Sequence, residues 1–154
     1  MSHELKLFFD VCCSPLLPRE LLAFYSPDYP RLQVMHLLDK FRQSSADSRW
    51  LASLQKDKSW IVITCDQGRD KKKEKLPEIC KRLGITHVAF SSELIRKGVT
   101  EQKNALVAVW TEILLLSRLP PGTQVKLCSH QIRGGINKYG LRVRGVSIST
   151  LLPA

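Results

Sequence analysis

The stretch Trp60-Ile61-Val62-Ile63-Thr64-Cys65-Asp66 decides the fold of this chain. Its run of large apolar and β-branched residues is typical of a strand that is buried on both faces, as in a parallel sheet covered by helices. The run ends in an aspartate, and so does an earlier apolar run, residues 5–9, which is followed by Asp10. In an open parallel sheet, functional groups lie just beyond the carboxyl ends of the strands. The sequence therefore predicts an α/β sheet with Asp10 and Asp66 at one edge.

Strand-like and helix-like segments alternate along the rest of the chain. Apolar runs or alternation predict strands at residues 5–9, 32–37, 60–64 and 85–90. Proline, capping and glycine signals predict helices at residues 15–24, from 47 onward, at 77–83 and at 100–119. Two further strands, residues 124–128 and 141–148, are joined by a glycine-containing loop. This alternation predicts a three-layer α/β/α domain with a mainly parallel central sheet and a C-terminal β-hairpin.

Length and composition indicate one globular domain. The 154 residues, 44% hydrophobic and 25% charged, are ordinary for a folded domain. We expect a single domain over residues 1–154, with a core at about 5–120 and a basic hairpin at about 122–150. No apolar stretch approaches the ~20 residues that a membrane span needs, and the polar residues 1–6 do not resemble a signal peptide. The sequence therefore predicts a cytoplasmic protein with no membrane association.

Positive charge dominates the chain and is unevenly distributed. Lys and Arg total 24 against 14 Asp and Glu, a formal net charge of +10, and no acidic residue follows Glu112. This excess favours a polyanionic partner, whose phosphates the basic side chains neutralise with release of counterions. A solvated surface that maintains solubility is the alternative, but the asymmetry suits a polyanion-binding face better. The predicted RNA-binding residues are Arg69, Lys71, Lys72, Lys73, Lys75, Arg133, Lys138 and Arg142.

The five cysteines, at positions 12, 13, 65, 80 and 128, are not spaced like a zinc motif. They form no C-x-x-C pair and have no histidines at matching intervals, so no zinc site is expected. Their odd number and the predicted reducing compartment favour free, buried thiols. Cys65 directly precedes Asp66, whose negative charge should disfavour a thiolate there. Covalent nucleophilic catalysis is therefore not expected.

Carboxylates gathered at one edge of a sheet raise one another's pKa or bind a cation. Mg²⁺ and Mn²⁺ prefer oxygen ligands, and a metal held in this way activates water and neutralises the charge that develops on a phosphodiester. Asp10 and Asp66 are the leading candidates, because helix capping does not explain them. Asp47 begins a predicted helix, where it can be a cap, a ligand or both. Asp39 and Asp70 are further candidates, with solvated loop acids as the alternative reading.

The segments around these acids, taken in order, resemble a PIN-like domain. They are Phe8-Phe9-Asp10, His36-Leu37-Leu38-Asp39, Asp47-Ser48-Arg49-Trp50-Leu51 and Ile61-Val62-Ile63-Thr64-Cys65-Asp66. The resemblance covers roughly residues 5–90 and is closest to the PIN-like toxins of bacterial toxin–antitoxin pairs. It implies that Asp10, Asp47 and Asp66 are the catalytic, metal-ligating acids, that Thr64 supports them, and that Asp70 or Asp39 is a fourth ligand. It further implies an endoribonuclease that depends on Mg²⁺ or Mn²⁺ and is inhibited by an antitoxin protein encoded nearby.

Two departures from the PIN-like pattern leave other functions open. Val11-Cys12-Cys13-Ser14 follows Asp10, where the family often has an acidic or polar residue and a leucine-proline step. The segment from Gly122 onward has no counterpart and could serve RNA binding, a partner or homodimer formation. The alternative function is a non-catalytic RNA- or partner-binding protein with a degenerate site. A receiver-like signalling domain ranks last, because the acidic pair that it needs near the first strand is missing.

Overall fold

The structure is a computed structural model that describes residues 4–42, 46–57, 59–65, 75–131, 133–135 and 137–152. Its strands are β1 (Lys6–Phe9), β2 (Gln33–His36), β3 (Trp60–Thr64), β4 (His87–Phe90), β5 (Gln124–Gln131), β6 (Asn137–Val143) and β7 (Val146–Ser147). They form one seven-stranded sheet in the order β2-β1-β3-β4-β5-β6-β7. The first five strands pair in parallel, whereas β6 and β7 pair antiparallel to their neighbours.

Helices cover both faces of this sheet. Those in the described residues are α1 (Leu16–Tyr25), α2 (Asp47–Lys56), α3 (Leu76–Leu83), α4 (Ser92–Lys97), α5 (Val99–Ala108), α6 (Trp110–Leu114) and α7 (Ile148–Leu151). Phe8 and Val62 pack with side chains of α2 and α3 in one buried cluster. Phe9 and Ile63 pack with α1, α4, α5 and α6 in the other, because successive strand residues face opposite sides. The predicted three-layer α/β/α architecture with a mostly parallel sheet is confirmed.

The single long helix predicted at residues 100–119 is wrong. The chain instead forms α5 and α6, followed by a 3₁₀ turn at Leu116–Arg118. The helix breaks at Val109, whose backbone angles (φ −106°, ψ 16°) leave the helical region. The next residue, Trp110, stacks on Tyr25 of α1 with ring centroids 3.7 Å apart. Helix α4, which the sequence reading missed, begins after Ser91, whose hydroxyl caps it by accepting from the Leu94 N–H.

The C-terminal hairpin is present, but its predicted bounds differ from those observed. Strand β5 continues three residues beyond the predicted end, and β6 begins at Asn137, inside the predicted loop. The predicted strand at 141–148 is divided by a turn at Arg144 and Gly145, both with positive φ. The turn reverses the chain into the short strand β7, and residue 148 already begins α7. The hairpin therefore extends the sheet by two antiparallel strands.

One row of paired residues crosses the sheet at the level of the candidate site. Thr64 pairs with Ala89, Ala89 with Lys126, and Lys126 with Arg142. Side chains at paired positions lie on the same face of a sheet, so Thr64, Lys126 and Arg142 share one face. Asp10 belongs to this face as well, because it comes two residues after Phe8. Helices α2 and α3 cover the face over β1 and β3, whereas Lys126 and Arg142 are exposed.

Candidate active site at the carboxyl edge of the sheet

Asp10 lies at the carboxyl end of β1 and is held inside the protein. Its backbone N–H donates to the Ile63 carbonyl of β3 at 3.0 Å, which extends the β1–β3 pairing by one residue. The side chain is only 3% exposed. Its oxygens accept hydrogen bonds from the Val11 N–H at 2.6 Å and from the Thr64 hydroxyl at 3.0 Å. No described lysine or arginine forms an ion pair with Asp10, so the only compensation within the described residues comes from uncharged donors.

The environment of Asp10 disfavours its ionised form. Burial raises the pKa of Asp10 from the ordinary 3.8 to about 7, with a smaller increase from nearby Cys12. The hydrogen bonds from Thr64 and Val11 lower this pKa but do not outweigh the loss of solvent. A buried carboxylate without a counter-ion is unfavourable until a cation approaches it. A strongly perturbed carboxyl at a strand end is therefore a candidate functional group.

Thr64, the last residue of β3, is fully buried beside Asp10. Its hydroxyl donates to Asp10 Oδ2, and the thiol of Cys12 lies 3.3 Å from the same oxygen. The sulfur of Cys12 is also 3.4 Å from Thr64 Oγ1. The structure thus brings together the predicted pair Asp10 and Thr64, as the parallel pairing of β1 with β3 requires. It adds Cys12, which was not among the predicted site residues.

Asp47 is the first residue of α2, and it faces the same region as Asp10. Its Oδ1 accepts a hydrogen bond from Trp50 Nε1–H at 3.1 Å, so it fixes the indole within the first turn of the helix. The charges of both acids affect the pKa of Cys80, which is buried on α3. Burial, and then the charges of Asp47 and Asp10, raise the pKa of the Cys80 thiol to about 12. Helix α2, which Asp47 begins, packs with α3 on the face of the sheet to which Asp10 belongs.

Asp39 and His36 form a local turn after β2. Asp39 is exposed, and its Oδ2 accepts from the His36 backbone N–H at 2.8 Å. The His36 ring accepts from the Leu38 N–H at Nδ1, so its Nε2–H donates to the Cys13 carbonyl at 2.8 Å. His36 is therefore a hydrogen-bonded structural residue that links the end of β2 to the turn after β1. Asp39 acts here as a cap, and its proposed ligand role stays a prediction.

Several predicted site residues lie outside the described part of the chain. Cys65 is the last described residue before them, and the exposed Lys75 precedes α3 directly after them. The residues concerned are Asp66, Asp70, Arg69, Lys71, Lys72 and Lys73. Their assignments as ligands or RNA contacts stay predictions.

The hairpin of β5 and β6 presents a basic surface on the same face as Asp10. Alternate residues of β5 are buried, which leaves Lys126 and His130 on the exposed side. Lys126 pairs directly with Arg142, so two positively charged side chains face each other across the hairpin, and the exposed Lys138 lies on the same strand as Arg142. Like charges at directly opposed positions destabilise a sheet. A polyanion bound on this face would relieve that repulsion. Arg133, also exposed, lies in the loop that joins the two strands.

Three thiols meet at the same edge, which the sequence reading missed. The sulfur atoms of Cys12, Cys13 and Cys65 all lie within 4.8 Å of one another. Hydrogen bonding with Cys12 and Cys13 lowers the pKa of Cys65, opposite to the direction expected from Asp66 alone. Cys12 is exposed rather than buried, contrary to the expectation for the free thiols. The linear spacing gave no signal of the cluster, because only the pairing of β1 with β3 brings Cys65 to the other two.

Fold and site together define an α/β/α protein with a buried acid at the carboxyl edge of a parallel sheet, an arrangement suited to cation-assisted chemistry. A family model described as PIN like domain matches residues 5–92, more than half of the chain. The chain belongs to this family, which is a family of nucleases, so the predicted resemblance is confirmed. No curated protein and no solved structure has significant similarity to the chain. None of the described helices has both the length and the apolar character needed to cross a bilayer.

Proposed function

We propose that this protein is a metal-dependent endoribonuclease that hydrolyses RNA phosphodiester bonds at the carboxyl edge of its sheet. The observation that carries the proposal is Asp10, a buried carboxylate at a strand end that has hydrogen-bond donors but no described counter-ion. Membership of a nuclease family supports the same reaction class. The combination favours a cation at Asp10 over a purely structural role for this acid.

The side chains at this edge fit a hard divalent cation, Mg²⁺ or Mn²⁺. The proposed ligands are Asp10, Asp47 and Asp66, with Asp70 or Asp39 as a fourth. When bound, the metal would supply an activated water and neutralise the charge that develops on the phosphodiester. The Thr64 hydroxyl bonds Asp10 Oδ2 and so fixes the orientation of the carboxylate. Carboxylate oxygens have several lone pairs, so this hydrogen bond leaves others for a cation.

The basic hairpin would position the RNA backbone. Lys126 and Arg142 share the face of Asp10 and Thr64, and β6 lies four strands away from β1. At about 4.8 Å between strands, that distance is roughly 19 Å, which a few nucleotides can span. Arg69, Lys71, Lys72, Lys73 and Lys75, which follow β3 in sequence, complete the proposed RNA contacts.

The finer assignment is a PIN-like toxin that acts in the cytoplasm and is inhibited by an antitoxin. Its support is the order of the acidic segments and the basic segment after Glu112, which contains no acidic residue. An adjacent gene for a small protein that co-purifies with this chain and blocks its RNA cleavage is the expected observation. Cleavage that no neighbouring gene product inhibits would leave the nuclease assignment standing but contradict the toxin assignment.

Incubation of cellular RNA with purified protein, in the presence of Mg²⁺, Mn²⁺ or a chelator, tests the proposed reaction. We expect discrete fragments with wild-type protein and metal, and none with chelator. Asp10→Asn and Asp66→Asn should abolish cleavage, whereas Asp28→Asn, at an exposed carboxylate after α1, should not. Metal-dependent cleavage at the wild-type rate by the Asp10→Asn/Asp66→Asn double variant would sink the proposal.

A non-catalytic RNA-binding protein is the second candidate, and one contact favours it. The Cys12 thiol lies 3.3 Å from Asp10 Oδ2, so a soft group that Mg²⁺ binds poorly occupies space next to the carboxylate. This candidate predicts salt-sensitive RNA binding, no heat of Mg²⁺ binding by calorimetry, and intact RNA under every metal condition. Fragments that appear only with metal and only with intact Asp10 exclude it.

A further inference from the structure

The thiols of Cys12, Cys13 and Cys65 form a compact cluster beside the acid site and differ from it chemically. In the part of the chain that the structure describes, this is the one cluster of at least three His, Cys, Asp or Glu side chains whose ligand atoms all lie within 4.8 Å of one another. We propose that these three side chains form a Zn²⁺ site, with three thiolate ligands and the fourth coordination position open to solvent. Such a site is independent of RNA cleavage and adds a second metal of a different class to this edge.

The distances suit tetrahedral zinc. With Zn–S bonds of about 2.3 Å, two sulfurs of a tetrahedral site lie roughly 3.8 Å apart. Cys13 Sγ and Cys65 Sγ are 3.7 Å apart in the structure. Every sulfur pair in the cluster is within 4.8 Å, so the widest separation has to contract by at most about 1 Å. Cys12 is exposed, and rotation of its side chain can supply that movement.

The backbone already holds the three cysteines in place. The Cys13 N–H donates to the Asp10 carbonyl at 3.0 Å, which closes the turn that follows β1. The Cys13 carbonyl in turn accepts from His36 Nε2–H at 2.8 Å, which ties the turn to the end of β2. Cys65 follows β3 directly, and its own N–H donates to Cys12 Sγ at 3.1 Å. These backbone contacts limit the conformational freedom that the three cysteines have to lose on binding.

Ligand chemistry separates this site from the acid site. Thiolates select zinc and other soft cations, whereas Mg²⁺ and Mn²⁺ prefer carboxylates and water. On binding, each thiol loses its proton to solvent and no oxidant is required. Cys12 is exposed and Cys65 is half-exposed, so a hydrated ion can reach the cluster without unfolding the chain. An open fourth position is typical of zinc sites with three protein ligands.

Titration of the reduced, metal-free full-length protein with Co²⁺ is the first test. We expect a thiolate-to-cobalt charge-transfer absorption that saturates at a single equivalent and disappears when Zn²⁺ displaces the cobalt. Competition with a chromophoric chelator then gives the Zn²⁺ affinity. No charge-transfer absorption, together with no retention of Zn²⁺ against the chelator, would overturn the inference.

Serine variants assign the ligands. Changing a residue that only orients a metal ligand lowers metal affinity by about 10–100-fold. Loss of a ligand itself should cost at least as much. Zn²⁺ binding should therefore weaken by roughly 100-fold or more in each of the variants Cys12→Ser, Cys13→Ser and Cys65→Ser. Cys128→Ser, half-buried on β5 and outside the cluster, should leave the affinity unchanged. Because Cys12 is exposed, its variant should fold even if the Cys13 variant does not. Wild-type Zn²⁺ affinity in folded Cys12→Ser protein contradicts the assignment.

Asp10→Asn separates this site from the proposed nuclease function. It should abolish metal-dependent RNA cleavage while Zn²⁺ still binds, with a change in affinity of at most about 100-fold, because the carboxylate contacts Cys12 but is not one of the three proposed ligands. Loss of both properties in a folded variant would mean that the two metals share one site, which would also contradict the inference.

Discussion

Replacing Asp10 with asparagine should stabilise the metal-free protein at neutral and alkaline pH. The folded protein holds the Asp10 pKa at about 7 against an ordinary 3.8, which corresponds to about 4 kcal/mol of lost stability once the carboxyl is ionised. Asparagine removes that charge. Its carbonyl can accept from Val11, and its amide can donate to Thr64 Oγ1 or Cys12 Sγ, whose hydrogens reorient. Allowing about 1 kcal/mol for each hydrogen bond of poorer geometry, we expect the free energy of unfolding of Asp10→Asn to exceed that of wild type by about 2–4 kcal/mol.

The pH dependence of this gain identifies its cause. Because the folded-state pKa of Asp10 is raised, the protonated carboxyl carries no penalty below the unfolded value of 3.8, and stability is lost as the pH rises through about 7. The free energies of unfolding of wild type and Asp10→Asn should therefore be similar at about pH 4 and differ by the full amount at about pH 8. Urea unfolding followed by tryptophan fluorescence, with chelator present, measures the difference.

Added metal should make the wild-type protein more stable than Asp10→Asn. Mg²⁺ at roughly 1,000 times its dissociation constant stabilises a protein that binds it only when folded by about 4.1 kcal/mol, which exceeds the expected advantage of the variant, and only the wild-type protein should gain this. Asp28→Asn, which removes an exposed carboxylate, serves as the control and should show neither effect. The reasoning is refuted if Asp10→Asn is less stable than wild type at about pH 8, or if the difference does not change with pH.

Two further predictions concern β4 and the basic hairpin. Burial lowers the pKa of His87 from 6.5 to about 4. The free energy of unfolding should therefore fall by about 3 kcal/mol as the pH falls between these values. In His87→Leu, unfolding experiments at a series of pH values should show no such fall. Lys126→Glu places an acid opposite Arg142 and should raise the free energy of unfolding by about 0.2–1 kcal/mol. The same variant should weaken RNA binding and flatten its salt dependence in filter-binding titrations, whereas Arg31→Glu, exposed before β2, should leave RNA affinity close to the wild-type value.

The parallel core of the fold could be predicted because local patterns and tertiary packing agree there. The apolar run of β3 matches its observed bounds at Trp60–Thr64, and Gly84 ends α3 with the positive φ expected of a glycine C-cap. The break at Val109 was not predicted, because the apolar residues on both sides of it continue one helical stripe, whereas in the structure Trp110 packs against Tyr25 of α1. Local propensity cannot report a contact between α6 and α1.

The candidate site was predictable where it depends on strand ends and unpredictable where it depends on the loop after β1. Two apolar runs that end in acids predicted Asp10 and Asp66 at one edge, and the PIN-like resemblance implied that Thr64 supports them; the Thr64 hydroxyl does bond Asp10. The raised pKa of Asp10 and the meeting of Cys12 with Cys65 depend on how the turn after Asp10 folds back over β3. That turn is held by His36 from a third strand, a contact across more than twenty residues that no local motif encodes.

The outermost strands of the sheet limit how copies of this protein can associate. Strand β2, at one edge, has four residues, and β7, at the other edge, has two. An unpaired edge offers its backbone N–H and C=O groups to any extended chain, and short edge strands are one way in which proteins reduce that exposure. At the β2 edge, few main-chain groups are therefore available for continuing the sheet into a second molecule, whereas β7 pairs with only the last two residues of β6. Strand addition at the β2 edge should therefore be disfavoured even at high protein concentration, which leaves the outer side of β6, or side-chain contacts of helices and hairpin faces, for a homodimer.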